Sequence, residues 1–284
     1  MKLNIGASPI WDCEGWTTLD HKFRKNTEFS IMGDAANMPM DNNTCDTIFC
    51  SHMFEHVPNV KLEEILLEFN RTLQQDGIVR ILTPDLKKIA TAYVNEDKDY
   101  FRLARLEDTS IRTDLGLGGQ FINFIISQGQ DTALFNRNID EFIVGYAHLY
   151  SYDFNMLKIL LERTGFHLVE QKEFCESSLT EYRVPLHVQG MEPKWQNFNQ
   201  KFYDENNLVH EYDPETGGYN INFRVTGFDR DPLTSLIIEA RKKEDIPKTS
   251  YHSLNDSNTN YCRYGWSLLK DPAFAEKVKK IEEL

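Results

Sequence analysis

The sequence predicts an α/β protein built on a doubly wound, mostly parallel sheet. Short β-prone runs alternate with helical patterns, the first run ends at Gly6, and the second stops at the carboxylate of Asp20. This alternation indicates right-handed crossover connections between parallel strands. Ligands of such sheets bind beyond the carboxyl ends of the strands, where an acid after the second strand accepts hydrogen bonds from ribose hydroxyls. A nucleoside cofactor is therefore expected.

The loop after the first strand narrows the choice of cofactor. A dinucleotide site needs G-x-G-x-x-G, so that bare backbone N–H groups approach a pyrophosphate. Here Gly6 is followed by Ser8 at the second glycine position and then by Pro9. Their side chains would crowd a pyrophosphate, whereas a nucleoside with an amino-acid tail needs no such cradle. The loop favours S-adenosylmethionine over NAD.

The remaining elements follow from composition and spacing. Strands are predicted at residues 3–6, 17–19, 29–32, 44–50, 78–82, 166–174 and 233–240. One helix is predicted to open at Pro58 and to stop at Gly77. Another begins at the capping residue Asp153 and ends at Gly165. Residues 96–107 have a helical pattern, and residues 115–119 are interpreted as a flexible, glycine-rich break.

Five stretches of the chain together resemble class I S-adenosylmethionine-dependent methyltransferases, and the small type-11-like members in particular. They read LNIGASP, GWTTLD, GDA, SHMFEH and GIVRILTPDL, at residues 3–9, 15–20, 33–35, 51–56 and 77–86. The resemblance covers residues 2–90, and more weakly 148–174 and 235–242. It implies a Rossmann-like doubly wound sheet of about seven strands, mostly parallel with the last strand antiparallel, plus cap insertions.

The resemblance also implies a set of residues that bind S-adenosylmethionine. The acid after the third strand, Asp34, would accept from the adenine amine, with Ala35 leaving room for the ring; alternatively, Asp34 only caps a turn. The full set of expected cofactor-binding residues is Gly6, Ala7, Ser8, Asp20, Asp34, Ala35 and Ser51.

Two long insertions interrupt the predicted methyltransferase domain, which spans residues 1–242. We expect residues 86–147 and 175–232 to form a cap over the substrate, although they could pack elsewhere as structural elaborations. Residues 243–284 are predicted to be a linker and a helix that begins at Asp271 and Pro272. One face of that helix is apolar, so it docks on its own domain or joins two copies in a homo-oligomer.

The residues expected near the acceptor are His52, Glu55, His56 and His148. The first three follow the fourth strand directly, where the transferred methyl group should emerge. Imidazoles titrate near neutral pH and can remove a proton from a hydroxyl acceptor. In a purely structural alternative, Glu55 and His56 order the loop and start the helix.

A metal site is the alternative to this interpretation. The spacing H-x-x-E-H occurs in zinc proteases, but there it needs a long helix, which Pro58 interrupts here. Some small-RNA 2′-O-methyltransferases use a similar E-x-x-E-H with a later histidine, resembling Glu55, His56 and His148, but His52 replaces their first Glu. No metal ligand is therefore assigned from the sequence. The Asn/Asp-Pro-Pro-Tyr motif of base-amine methyltransferases is also absent.

Net charge and cysteine content limit the partners and the cellular compartment that the sequence predicts. The net charge is −13, which argues against nucleic-acid binding because phosphate contacts depend on Lys and Arg. Five cysteines without a C-x-x-C pair favour a reducing, cytoplasmic compartment. The first strand begins almost at Met1, so no signal peptide is expected, and no apolar run approaches transmembrane length.

These observations predict an enzyme that transfers the methyl group of S-adenosylmethionine to an oxygen or nitrogen of a small-molecule or glycan-type acceptor. A non-catalytic binding or assembly module with the same fold is the alternative. A nicotinamide oxidoreductase is a more distant one.

Overall fold

The computed structural model describes residues 1–7, 11–21, 28–104, 115–126, 148–184, 186, 190, 209–213, 218–222 and 234–247. Nine strands lie in these ranges: β1 Lys2–Ile5, β2 Trp16–Asp20, β3 Ser30–Met32, β4 Cys45–Ser51, β5 Leu73–Pro84, β6 Phe166–Gln171, β7 Val209–Asp213, β8 Gly218–Asn222 and β9 Ser235–Lys242. The helices are α1 Asn59–Thr72, α2 Leu86–Val94, α3 Lys98–Ala104, α4 Gly116–Ile125 and α5 Phe154–Arg163.

Seven strands form one sheet in the order β3-β2-β1-β4-β5-β9-β6. Strands β1 to β5 are parallel to one another, and β9 runs antiparallel between β5 and β6. The predicted fold class, including the antiparallel last strand, is confirmed. The order reverses between β1 and β4, and this reversal is the switch point where open α/β sheets bind ligands.

The two faces of the sheet are covered by different elements. Side chains alternate along each strand, so Ile48 and Cys50 of β4 join one apolar cluster while Phe49 joins another. The first cluster includes buried side chains of α1 and α5. The second contains the aromatic side chains of Trp11, Trp16 and Tyr182. The central strands are therefore buried on both sides, as a parallel sheet requires.

Two predicted boundaries were wrong. Helix α1 ends at Thr72 rather than running to Gly77, because Leu73 already pairs with Cys45 in the sheet and its carbonyl accepts a hydrogen bond from Lys242 Nζ at 2.7 Å. The glycine-rich stretch at residues 115–119 is not a break: Gly116 begins α4.

The predicted first insertion begins with α2, α3 and α4, which share a small apolar cluster. Its buried members are Ile89, Ala92, Tyr100, Phe101 and Phe124. In the second insertion, β7 and β8 form a two-stranded antiparallel sheet. Residues 1–246 form one compact unit. The predicted C-terminal helix lies outside the described residues, so the division into domains stays a prediction.

Two further findings concern covalent links and membranes. The four described cysteines, Cys13, Cys45, Cys50 and Cys175, are not joined by disulfide bonds. Within the part of the chain that the structure describes, no helix combines the length and the apolar character needed to cross a bilayer.

Candidate functional site

The loop after β1 lies at the switch point and requires glycine. Gly6 has φ +72°, in the left-handed region, and its N–H donates to the Leu19 carbonyl at 2.9 Å. A Cβ added there would stand 3.1 Å from Met53 Cγ. The ends of β1 and β4 thus approach each other closely, and the bare backbone of Gly6 permits this approach.

Two predicted cofactor carboxylates follow adjacent strands. Asp20 ends β2 with a side chain only 13% exposed, and His21 Nδ1 lies 3.7 Å from its Oδ1. Asp34 lies two residues beyond β3 and is exposed. Its Oδ1 accepts from the Ala36 N–H at 2.8 Å, so Asp34 caps a turn, as the alternative interpretation expected. Ala35 is half-buried in this turn.

The remaining predicted cofactor residues differ in character. Ala7 is buried in the apolar cluster that contains Trp11, so its side chain belongs to the core. Ser8 lies outside the described residues. Ser51, the last residue of β4, is buried, and its Oγ has no hydrogen-bond partner among the described residues. A buried hydroxyl at the end of a switch-point strand is suited to a polar ligand.

His52 follows β4 in a strained conformation and contacts Glu55. Its φ is +51°, which is rare for a residue other than glycine. His52 Nδ1 lies 2.9 Å from Glu55 Oε1, and Nε2 lies 3.0 Å from Ser235 Oγ. The ring is held between two buried groups, which fixes its direction despite the backbone strain.

Glu55 lies in a 3₁₀ turn, Phe54–His56, and is only 1% exposed. Its backbone carbonyl accepts from the N–H groups of Leu149 and Tyr150, at 2.6 and 3.3 Å. Its Oε2 accepts from Thr83 Oγ1 at 3.1 Å. The backbone bonds tie the segment at 148–150 to the turn, across more than 90 residues of sequence.

This tie brings His148 beside His56. The centres of the two imidazole rings are 5.0 Å apart with an interplanar angle of 73°. His56 Nε2 lies 4.0 Å from Glu55 Oε1, and His148 Nδ1 lies 3.0 Å from the Phe124 carbonyl of α4. All four residues predicted to lie near the acceptor, from His52 to His148, therefore meet at one place.

The imidazoles set the charge state of Glu55. Burial raises the pKa of this carboxyl, but His52, His56 and His148 lower it, and the imidazoles prevail. The pKa of Glu55 therefore lies well below its ordinary value. The carboxylate is ionised throughout the neutral range, where it can stabilise a positive charge on a neighbouring imidazole.

Sequence reasoning missed three residues that build this site: Thr83 donates to Glu55, Ser235 contacts His52, and Met53 packs against Gly6. Thr83 carried a signal, because it precedes Pro84 at the carboxyl end of β5. Ser235 carried none, since it lies 183 positions from its partner. Asp85, which follows β5 directly, caps α2 by accepting from the N–H groups of Lys87 and Lys88.

One family of known proteins matches part of the chain. Residues 10–81 match the family described as "Methyltransferase domain". No curated protein matches the chain.

Several solved structures are similar to the chain at low identity. One is a SAM-dependent methyltransferase from Archaeoglobus fulgidus, with 16% identity over 85% of each chain and a TM-score of 0.38. Another, from Mesorhizobium loti, has 12% identity, 85% and 90% coverage and a TM-score of 0.40. A putative methyltransferase of Haloferax volcanii, in complex with the Trm112 activator, has 9% identity, 87% and 83% coverage and a TM-score of 0.41.

The glycine turn at the switch point, the acid after β2 and the strand order all suit an adenosyl sulfonium. Together with the family match at residues 10–81, they indicate a methyltransferase domain that uses S-adenosylmethionine as its cofactor.

Proposed function

We propose that this enzyme methylates an oxygen or nitrogen of a small-molecule or glycan-type acceptor, and that His52, Glu55, His56 and His148 lie beside the reacting group. One observation carries the proposal. Three imidazoles surround a buried carboxylate directly after β4, the strand that borders the switch point. Such a cluster can take up a proton next to the site expected for the cofactor.

A separate group of residues at the same edge of the sheet is assigned to the cofactor. Gly6, Asp20, Ser51 and the turn at Asp34 and Ala35 follow β1 to β4 at the carboxyl edge of the sheet, and we assign them to the cofactor. Ala7 and Ser8 stay assigned to the same loop, Ala7 through its backbone only. Asp20 would accept from the ribose hydroxyls, and the Ser51 hydroxyl would gain the polar partner that no described residue supplies.

The bound cofactor supplies an electrophilic methyl group: a lone pair of the acceptor forms the new bond as the methyl–sulfur bond breaks, which releases S-adenosylhomocysteine. The acceptor proton passes to an imidazole of the cluster. The carboxylate of Glu55 stabilises the resulting imidazolium. Positioning supplies most of the acceleration, and a general base adds roughly 10²- to 10⁴-fold.

The partners follow from charge and from the absence of a base-amine motif. A net charge of −13 disfavours nucleic acid and suits a small or carbohydrate acceptor. A cytoplasmic location is proposed from the cysteine pattern. A homo-oligomer joined through the C-terminal helix stays a prediction, because that helix lies outside the described residues.

Calorimetric titration of S-adenosylmethionine into Asp20→Ala tests the cofactor half of the proposal. We expect a loss of about 1.5–3 kcal/mol, or about 10- to 150-fold in Kd, for a hydrogen bond to a charged group. Asp46→Ala is the matched control, because Asp46 carries an exposed carboxylate at the opposite end of β4, paired with the amino terminus. Equal affinity in both variants would remove Asp20 from the site.

The acceptor half is tested by mass spectrometry of S-adenosylhomocysteine formed with a panel of sugars, polyols and amines. An acceptor should be methylated by the wild type, and His52→Ala should lower kcat while leaving the Kd of the cofactor within about twofold. A variant with unchanged kcat, or a loss confined to cofactor binding, would contradict the assigned role of the cluster.

A further inference from the structure

Three side chains of the cluster have the composition and spacing of a metal site. One oxygen of Glu55 and one ring nitrogen each of His56 and His148 all lie within 4.8 Å of one another. Glu55 is buried and the two imidazoles are partly exposed. The carboxylate side of the group is therefore shielded from solvent, while the two histidines remain accessible to solutes.

We propose that Glu55, His56 and His148 bind one divalent transition-metal ion, which holds the acceptor next to the methyl group. The inference deepens the proposed function and depends on it for the role of the ion, though not for its binding. Two imidazole nitrogens and one carboxylate oxygen supply three ligands, so positions stay open for acceptor oxygens or water. Imidazole ligands favour zinc, iron, nickel or copper over magnesium.

The buried carboxylate provides the first independent argument. Thr83 Oγ1 donates to Oε2, but no described residue offers Oε1 a hydrogen bond of good angular geometry. His52 Nδ1 lies 2.9 Å from Oε1 as an ion-pair partner. A carboxylate that is 1% exposed needs nearby positive charge, and a cation between the three ligands would supply it.

His148 provides the second argument, through its tautomer. Its Nδ1 lies 3.0 Å from the Phe124 carbonyl, which can only accept, so Nδ1 carries the proton. The lone pair of the neutral ring is then on Nε2. A backbone carbonyl that receives one ring N–H is the usual outer partner of a metal-binding histidine, because it fixes the tautomer and the orientation.

The distances are compatible with an ion after a small adjustment. Ligand bonds to nitrogen and oxygen are about 2.0–2.2 Å long, so two ligand atoms on one ion stand about 3–4.4 Å apart. His56 Nε2 and Glu55 Oε1 are 4.0 Å apart, and all three ligand atoms lie within 4.8 Å of one another. Rotations that move the ligand atoms by about 1 Å would close the group. His52 would remain the imidazole that receives the acceptor proton.

A cluster of imidazoles that pairs with Glu55 without any metal is the competing explanation, and direct binding separates the two. Chelator-stripped, untagged protein is titrated with Co²⁺ while its visible absorption and the heat of binding are recorded. We expect one equivalent to bind and to produce the d–d bands of nitrogen-ligated cobalt. His56→Ala and His148→Ala should each weaken binding more than about 100-fold, beyond the effect of losing an outer partner.

His167→Gln is the matched control, because His167 is a partly buried histidine on β6 and should leave cobalt binding unchanged. Glu55→Gln keeps the size of the side chain and should also weaken cobalt binding. It replaces any alanine variant that circular dichroism shows to be unfolded. A folded wild type that takes up no cobalt, or uptake that none of the three ligand variants changes, would overturn the site. Cobalt uptake in a protein that binds no S-adenosylmethionine would instead contradict the proposed function alone.

Discussion

Gly6 and Met53 pack against each other across the switch point of the sheet, with room for only a hydrogen atom on the Gly6 side. A Cβ at Gly6 would lie 3.1 and 3.2 Å from Met53 Cγ and Cβ, and the φ of +72° disfavours any side chain there. The contact joins the loop after β1, assigned to the cofactor, to the loop after β4, which leads into the His–Glu cluster. A change at Gly6 that displaces Met53 should therefore affect both the proposed cofactor site and the proposed acceptor site.

Replacing Gly6 with alanine should destabilise the fold and weaken cofactor binding together. The left-handed conformation alone costs about 1–2 kcal/mol for a residue with a Cβ, and the contact with Met53 adds to it. We expect the free energy of unfolding in urea to fall by about 1–3 kcal/mol. Displacement of the loop should also raise the Kd of S-adenosylmethionine in calorimetry.

Gly118→Ala is the control for this change. Gly118 lies inside α4, and the nearest atom to an added Cβ there is Tyr93 Oη, at 3.9 Å. Alanine in a helix interior should stabilise the protein by about 0.5–1 kcal/mol. Gly6→Ala with wild-type stability would show that the strain at this turn is relieved by movement of Met53.

Thr83→Val should destabilise the protein by removing the hydroxyl that donates to Glu55 Oε2. Valine has nearly the same shape, so the change isolates the hydrogen bond, and bonds to charged groups contribute about 1.5–3 kcal/mol. Thr83→Ser keeps the hydroxyl and should lose far less. Chemical denaturation of both variants measures the difference, and equal losses would mean that the Thr83 methyl group, rather than its hydroxyl, stabilises this position.

The sequence was most informative where structure is determined locally. The loop at Gly6, the acid of Asp20 and the helix cap of Asp153 follow from residue type and position. The motif at residues 51–56 follows β4 directly in the sequence, and His148 was associated with it through family resemblance. The strand order then placed these segments at one edge of the sheet.

Long-range contacts explain what the sequence did not predict. The end of α1 depends on Lys242, whose Nζ donates to the Leu73 carbonyl. The two residues are 169 positions apart, so no local sequence pattern indicates this contact. Helix α4 forms despite three glycines in its first four positions, since Phe121 and Phe124 pack against α2 and α3. Tertiary packing overrides a propensity cost of about 1 kcal/mol per glycine.

The buried ion pair between Arg80 and Glu239 should show strong coupling. These residues face each other on β5 and β9, and both are buried. Glu239→Gln removes the counterion of a buried guanidinium and should cost about 3–5 kcal/mol. Urea denaturation of the single variants measures this loss.

The single variant Arg80→Met and the double variant Arg80→Met/Glu239→Gln complete the cycle. With neither charge present, no buried ion lacks a partner, so the double variant should be more stable than Glu239→Gln alone. Arg80 also donates to the Glu176 carbonyl at 2.8 Å, and the loss of that bond limits the recovery. Additive losses in the two single variants would contradict a coupled pair.

Tyr182 makes the stability of the protein sensitive to alkaline pH. Its hydroxyl is buried, lies 2.5 Å from Thr47 Oγ1 and donates to the Ile48 carbonyl at 3.1 Å. Burial raises the pKa of the phenol far above its ordinary value of about 10, although the Thr47 contact and Arg80 act in the opposite direction. The folded state therefore keeps a proton that the unfolded chain releases above about pH 10.

Because the unfolded state then binds fewer protons than the folded state, the free energy of unfolding must fall as the pH rises through this range, by up to about 1.4 kcal/mol per pH unit. Tyr182→Phe should be about 0.5–1.5 kcal/mol less stable than the wild type at pH 8, because it lacks the hydrogen bonds. The difference should shrink above pH 10 and then reverse, since phenylalanine does not titrate. Urea denaturation of both proteins from pH 8 to pH 11 measures the effect, and parallel pH profiles would show that the Tyr182 phenol ionises without cost in the folded protein.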